Sequence, residues 1–195
     1  MLFIDNNIQA VLKKLKQFSP KTYEHSINVS IICELFGEYL GLSKNELTKL
    51  KVAGLLHDIG KLEIPDEILH KPAKLTNQEY NIVKNHAING VNILTKNGFN
   101  NQEILNLILC HHERPDGLGY PKGLNNSSIP YLARILTICD CYEAMASKRS
   151  YKEANDLDYI KNEFIKNAGT QFDKELSNLF LEFLNNQILK SKNYK

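Results

Sequence analysis

A chain of 195 residues with a formal net charge of +2, from 24 basic and 22 acidic residues, has the length of one domain and lacks the basic excess of a general nucleic-acid binder. With 43% hydrophobic and 24% charged residues it is not a disordered composition, and it can bury a core around a polar site. Its 4 Cys lack the spacing of a disulfide scaffold, no run approaches the roughly 18 apolar residues of a membrane span, and Met1-Leu2-Phe3-Ile4-Asp5 opens no signal peptide, so a reducing cytoplasmic compartment is expected.

The elements read in chain order are helical. Ile4, Ile8, Val11, Leu12 and Leu15 form a stripe in the first 19 residues, expected to pack on its own domain rather than to form a dimer contact. Ser19 as N-cap and Pro20 at the first position open a helix that buries Val29, Ile32 and Phe36 and closes at Gly41. Ser43 to Glu46 is a capping box, opening a helix that stops near Gly60. Thr76 to Glu79 is a second one, predicting a helix that runs to about residue 97. Further helices are predicted over 101–112, from Tyr131 to about Ser147, over 156–168 and over 173–189, with 185–195 a fraying tail. No segment alternates as a strand does, so the fold class is all-α, a single domain over 1–195 with its core at 20–180. Two segments break the pattern, 61–75 and 113–130. The second is dense in Gly and Pro and directly follows His111-His112, and long loops of this kind inside compact domains are usually functional.

Several polar residues fall where the pattern wants core. His57-Asp58 ends an apolar run. His25 lies one turn before Val29, and His86 has Val83 and Gly90 at helical steps. Asp140 interrupts Ile135–Cys141, which is apolar nearly all round, and His111-His112 ends the apolar run Ile104–Cys110. Each alone reads as well as a satisfied core or helix-end residue. As a set, five of the 6 His and two Asp in buried or helix-terminal positions point to one metal site. Imidazole and carboxylate with few thiolates indicate a catalytic rather than a structural metal. His70 falls in a loop and has no role, and Cys110, Cys139 and Cys141 read as small core residues.

In order along the chain, His25, His57-Asp58-Ile59-Gly60-Lys61, Lys71 to Thr76, His86, His111-His112-Glu113-Arg114-Pro115-Asp116-Gly117-Leu118-Gly119-Tyr120-Pro121, Asp140 and Arg149-Ser150-Tyr151-Lys152 resemble the HD-GYP family of cyclic di-GMP phosphodiesterases within the HD phosphohydrolase superfamily. The resemblance covers about residues 20 to 180. It implies an HD-domain-like helical bundle with a metal cluster in its core and a GYP loop beside it. Residue by residue, it implies His25, His57, Asp58, His86, His111, His112 and Asp140 as metal ligands, with Asp58 bridging two ions. Lys61 matches a lysine beside the scissile phosphate. Gly119, Tyr120, Pro121, Arg149 and Lys152 match substrate-binding positions. The implied reaction is in-line attack of a metal-bridging hydroxide on cyclic di-GMP, giving linear pGpG and in a second cut GMP. Fe or Mn is the implied metal, with Zn, Ni, Mg or Ca able to fill such a site.

Four positions depart from the family pattern. Lys21 stands where members with three metals carry a Glu, which predicts two ions. Pro115 stands for an aromatic, Ala73 for a Gly and Glu143 for an Asp, and none of them is expected to touch a ligand. Two other readings compete. One is the same fold acting on another cyclic dinucleotide or nucleotide phosphate. The other is an idle module that senses the dinucleotide or docks a diguanylate cyclase through the GYP loop.

Overall fold

Ser19 starts the central helix as its sequence predicts, with Oγ accepting from the Thr22 amide and Pro20 at the first position. The computed structural model describes residues 5–147 and 156–193, with side chains through 186. Arg149 to Lys152 therefore lie outside the described residues.

The elements are α1 (Asn6–Phe18), α2 (Pro20–Tyr39), α3 (Lys44–Leu56), α4 (Asp66–Leu69), α5 (Asn77–Lys84), α6 (His86–Lys96), α7 (Gln102–Cys110), α8 (Tyr131–Ala146), α9 (Leu157–Asn167) and α10 (Lys174–Asn193). Short 3-10 turns cover Ile59–Glu63 and Asn126–Ser128. Both capping boxes form, at Ser43/Glu46 and Thr76/Glu79. Among the described residues there is no strand, only isolated bridges pairing Asp116 with Asn125 and Ala168 with Phe172. No helix among them is long and apolar enough to cross a membrane.

Helix α2 packs against α1, α3 and α8. Ile8 and Leu15 of α1 are fully buried, so the N-terminal stripe covers its own domain. Phe36 of α2 meets Phe180 of α10 edge-on with centroids 4.8 Å apart, and Phe164 of α9 lies 5.1 Å from the same ring. Such pairs add about 1 kcal/mol to the burial of their area.

Three expectations change. The helix predicted from 77 to 97 is two, broken at Asn85, where the His86 ring takes the Val83 carbonyl at 2.7 Å. The break starts α6 at His86. The joining segment 61–75 contains the end of a 3-10 turn and the short α4. The last helix, expected over 173–189, runs Lys174–Asn193.

The 3-10 turn after α3 lies close against the backbone of α6. A Cβ on Gly60 would lie 1.9 Å from the His86 carbonyl oxygen and 2.4 Å from the Gly90 amide nitrogen. Only glycine permits this approach, which sets Asp58 and Lys61 beside His86. Gly60→Ala is expected to lower the unfolding free energy by about 3 kcal/mol or more in urea titration, since two backbones must separate. Gly98→Ala serves as the control: its φ is +89° but a Cβ there meets open space, so only the left-handed penalty of about 1 kcal/mol applies.

Candidate metal centre

Three of the clustered histidines sit at helix ends. His57 caps the C-terminus of α3, His111 that of α7, and His86 follows the last turn of α5. The last carbonyls of a helix lack intrahelical partners. Each ring fills one of them. Nδ1–H of His57 donates to Gly54 O at 2.8 Å, that of His86 to Val83 O at 2.7 Å, and that of His111 to Ile108 O at 2.6 Å. A carbonyl accepts only from an N–H, so the proton is on Nδ1 and each Nε2 presents a bare lone pair inward.

Those lone pairs have no proton to share. His86 Nε2 and His111 Nε2 face each other 3.2 Å apart, and buried His57 Nε2 has no hydrogen-bond partner. Two acceptors in contact repel unless a cation lies against both. The carboxylates complete the arrangement. Asp58 points Oδ1 at His86 Nε2, 3.6 Å away, and Oδ2 at His57 and His25 Nε2, at 3.4 and 3.6 Å. Asp140 Oδ1 lies 3.0 Å from His25 Nε2 and 3.7 Å from His57 Nε2. Three overlapping triads have their ligand atoms within 4.8 Å of one another: His25/His57/Asp58, His57/His111/Asp140 and His86/His111/His112. The donor set fits hard to borderline divalent cations, and each oxygen of Asp58 addresses a different set of histidines, as a bridging carboxylate requires.

The protonation states of three histidines and both carboxylates agree with this. Burial pushes His86 down, His111 well down, and His112 to about 3, so these rings are neutral ligands at pH 7. Burial would raise Asp58, but Lys61 and the surrounding histidines outweigh it and keep it ionised. Asp140 is likewise raised by burial and lowered further by the His25 hydrogen bond and by the neighbouring His57 ring. For His25, burial is overridden by Asp140 and Glu143, which hold its pKa up at about 9, so at pH 7 the ring is charged and a cation bound at Nε2 would displace that proton.

Around the cluster, Lys61 Nζ donates to Asp58 Oδ2 at 2.6 Å from the partly exposed 3-10 turn. Tyr120 lays its ring on His112, with centroids 4.8 Å apart and planes at 31°, and meets His86 edge-on. Its amide donates to the His112 carbonyl at 3.1 Å, and the Tyr120–Pro121 peptide is cis. Gly119 has no room for a side chain, since a Cβ would lie 2.4 Å from the Arg114 amide nitrogen. The loop is tied from within by Glu113, which is 1% exposed and accepts from the Lys122 and Leu124 amides at 2.7 and 2.8 Å.

All seven expected ligands therefore converge, with Lys61, Gly119, Tyr120 and Pro121 at the rim. Arg149 and Lys152 lie outside the described residues. His70 pairs with Asp66 on the surface, and no cysteine joins the triads. One expectation is corrected. Glu143, set apart from the ligands in the sequence, accepts a short hydrogen bond from His25 Nδ1 through Oε2. The turn of helix between Asp140 and Glu143 places both carboxylates on the His25 face of α8. Glu113 and Thr137 were not singled out. Thr137 Oγ1 donates to the His111 carbonyl at 2.7 Å. Glu113 carried a signal, an acidic residue between a histidine pair and a Gly-rich loop.

Because the cluster gathers anionic and lone-pair donors in a buried volume, cations that bind it favour the folded state. Adding EDTA is expected to lower the melting temperature by roughly 5–10 °C relative to protein with Mn(II) at about a hundredfold over its Kd, and excess Mn(II) is expected to restore it. Differential scanning fluorimetry checks this.

A family model described as an HD domain matches residues 7–176. A 3'3'-cGAMP-specific phosphodiesterase 2 from Vibrio cholerae is 39% identical over 165 residues, covering 84% of this chain and 32% of that protein. A cyclic di-GMP phosphodiesterase from Thermotoga maritima is 36% identical over 177 residues, covering 88% and 47%. The chain thus spans between about a third and a half of the length of these relatives. Among solved structures, a HDG"Y"P protein from Bdellovibrio bacteriovorus superimposes with a TM-score of 0.67 at 20% identity, over 84% of this chain and 52% of that one, a likeness of fold. The family match over most of the chain, with the HD pair and the Gly119-Tyr120-Pro121 loop set on one cluster, shows that the chain belongs to the HD domain family, in its HD-GYP branch.

Proposed function

We propose that the chain is a metal-dependent phosphodiesterase that opens cyclic di-GMP to linear pGpG, with a second cut to GMP read from the same assay. The observation that carries this reading is the pair of bare Nε2 atoms on His86 and His111 beside a carboxylate whose two oxygens address different histidines. His25, His57, Asp58, His86, His111, His112 and Asp140 would hold two divalent ions, Fe or Mn by preference. Such ions would supply Lewis acidity and bring the pKa of a bound water down to near neutral.

The chain's own residues supply the rest. Asp58 stays ionised next to Lys61 and links the two ligand sets. Lys61, a point charge on a mobile stem at the rim, turns from Asp58 to a phosphate oxygen and offsets the charge that builds up there. Tyr120, fixed against His112, gives a flat wall on which a purine can stack. Gly119 and Pro121 hold that wall in place. Arg149 and Lys152 are proposed as contacts to phosphate or guanine, on the family resemblance alone. Four free thiols support the reducing cytoplasm as the compartment.

A second substrate has specific support, because relatives of similar identity are named for 3'3'-cGAMP and for cyclic di-GMP. The test is purified protein with Mn(II), or with Fe(II) under anaerobic conditions, given each dinucleotide and read by product chromatography. Cyclic di-GMP is expected to give pGpG, Asp58→Ala to abolish turnover, and Lys61→Ala to lower kcat by about 10²-fold. Dinucleotide bound without turnover under both metals would instead identify an idle sensor or docking module, with Leu118, 77% exposed at the loop tip, as a docking residue.

Lys21 is exposed in the first turn of α2, one turn before His25, and a charged lysine does not ligate. Metal analysis is expected to find two ions per chain, and a third in Lys21→Glu. Three tightly bound ions in the wild type would contradict the assignment.

A further inference from the structure

His25 differs from the other histidines in where it sits. His57, His86 and His111 lie at helix ends and satisfy Nδ1–H on a local carbonyl. His25 lies inside α2, where the carbonyls are taken by the helix's own amides. Its Nδ1–H has to find an acceptor elsewhere, and it finds Glu143 of α8. That carboxylate is itself held. Its other oxygen accepts from Asn28 Nδ2 at 3.0 Å and from Ser147 Oγ at 2.7 Å, and the residue is 4% exposed. Asn28 lies one turn after His25 on α2, and Ser147 one turn after Glu143, so the two helices grip one carboxylate from both sides.

We propose that Glu143 is a positioning residue of the metal centre: it fixes the His25 ring with Nε2 facing Asp58 and Asp140, and so sets the affinity of the ion held by His25, His57 and Asp58. This rests on the metal-dependent reading above and adds a residue to it. A carboxylate behind a ligating imidazole orients the ring and raises its basicity, and loss of such a partner typically weakens metal binding by about 10- to 100-fold. An amide does not replace it. A glutamine has one accepting oxygen for three donors, so its NH2 group must face either His25 Nδ1–H or the Asn28 amide.

The residue also lines a surface pocket of about 210 Å3. A shortened side chain there is met by solvent rather than by a core void, so Glu143→Gln and Glu143→Ala are both expected to fold. The experiment is a calorimetric Mn(II) titration of metal-free wild type and both variants. Melting of the metal-free forms and the proton spectrum of the Zn(II)-loaded forms accompany it. One of the two binding steps is expected to weaken by about 10- to 100-fold, while the step belonging to His86, His111 and His112 stays within about twofold. The downfield imidazole N–H resonance of His25 is expected to shift or vanish in both variants. A purely structural role would move neither the single step nor that resonance. Unchanged binding in both variants, equal weakening of both steps, or weakening matched by a fall in metal-free stability would overturn the proposal. The titration needs no substrate. A wild type that binds in two steps but turns over no dinucleotide would defeat the phosphodiesterase reading alone, and one that binds no Mn(II) would defeat both.

Discussion

Five imidazoles and two carboxylates share one buried volume, and the fold is organised around making that tolerable. Burying a polar group without a partner costs several kcal/mol. Here the partners are supplied in two directions. Outward, each of His57, His86 and His111 gives its Nδ1 proton to a carbonyl near a helix end. Inward, the matching Nε2 atoms converge with Asp58 and Asp140 in groups that could hold a cation. Helix termini usually need solvent or a cap, and in this protein three of them are capped by the same side chains that build the site.

That arrangement explains features that look unrelated along the chain. The break at Asn85 costs helical hydrogen bonds but delivers His86 and frees the Val83 carbonyl for it. Gly60 allows the 3-10 turn to sit on the start of α6, which brings Asp58 from one segment against His86 from another. Thr137 and Asp140, one turn apart on α8, act together, the first on the His111 backbone and the second on the His25 and His57 rings.

The sequence made part of this legible. Capping chemistry is local, so Ser19, Ser43 and Thr76 marked helix starts that the structure contains. The ligand set was legible as a group of polar residues in core positions, sharpened by the family resemblance, although no single member stood out. Three things were not legible. Helical periodicity runs through Asn85 without interruption, and nothing in it announces that the His86 ring takes the Val83 carbonyl there. Glu143 looked like a conservative exchange, since nothing in its neighbourhood along the chain announces His25, 118 residues away. Glu113 read as one more loop residue until its two amide partners, nine and eleven residues on, were visible. In each case the deciding contact is a specific side-chain hydrogen bond, which pattern and propensity do not carry.

Glu113 has a consequence for how the site selects what it binds. It directly follows the two histidines at the end of α7, and its carboxylate ties down the far side of the loop that carries Tyr120. Tyr120 is in turn bonded to the backbone of His112. His111, His112, Glu113 and Tyr120 thus form one short, self-braced stretch of chain. A wall that is already in place loses little conformational freedom when a ring settles on it. On the proposed function, discrimination at this ring is then a matter of preset shape, and a changed preference among purines would come from recutting the surface rather than from altering how it closes.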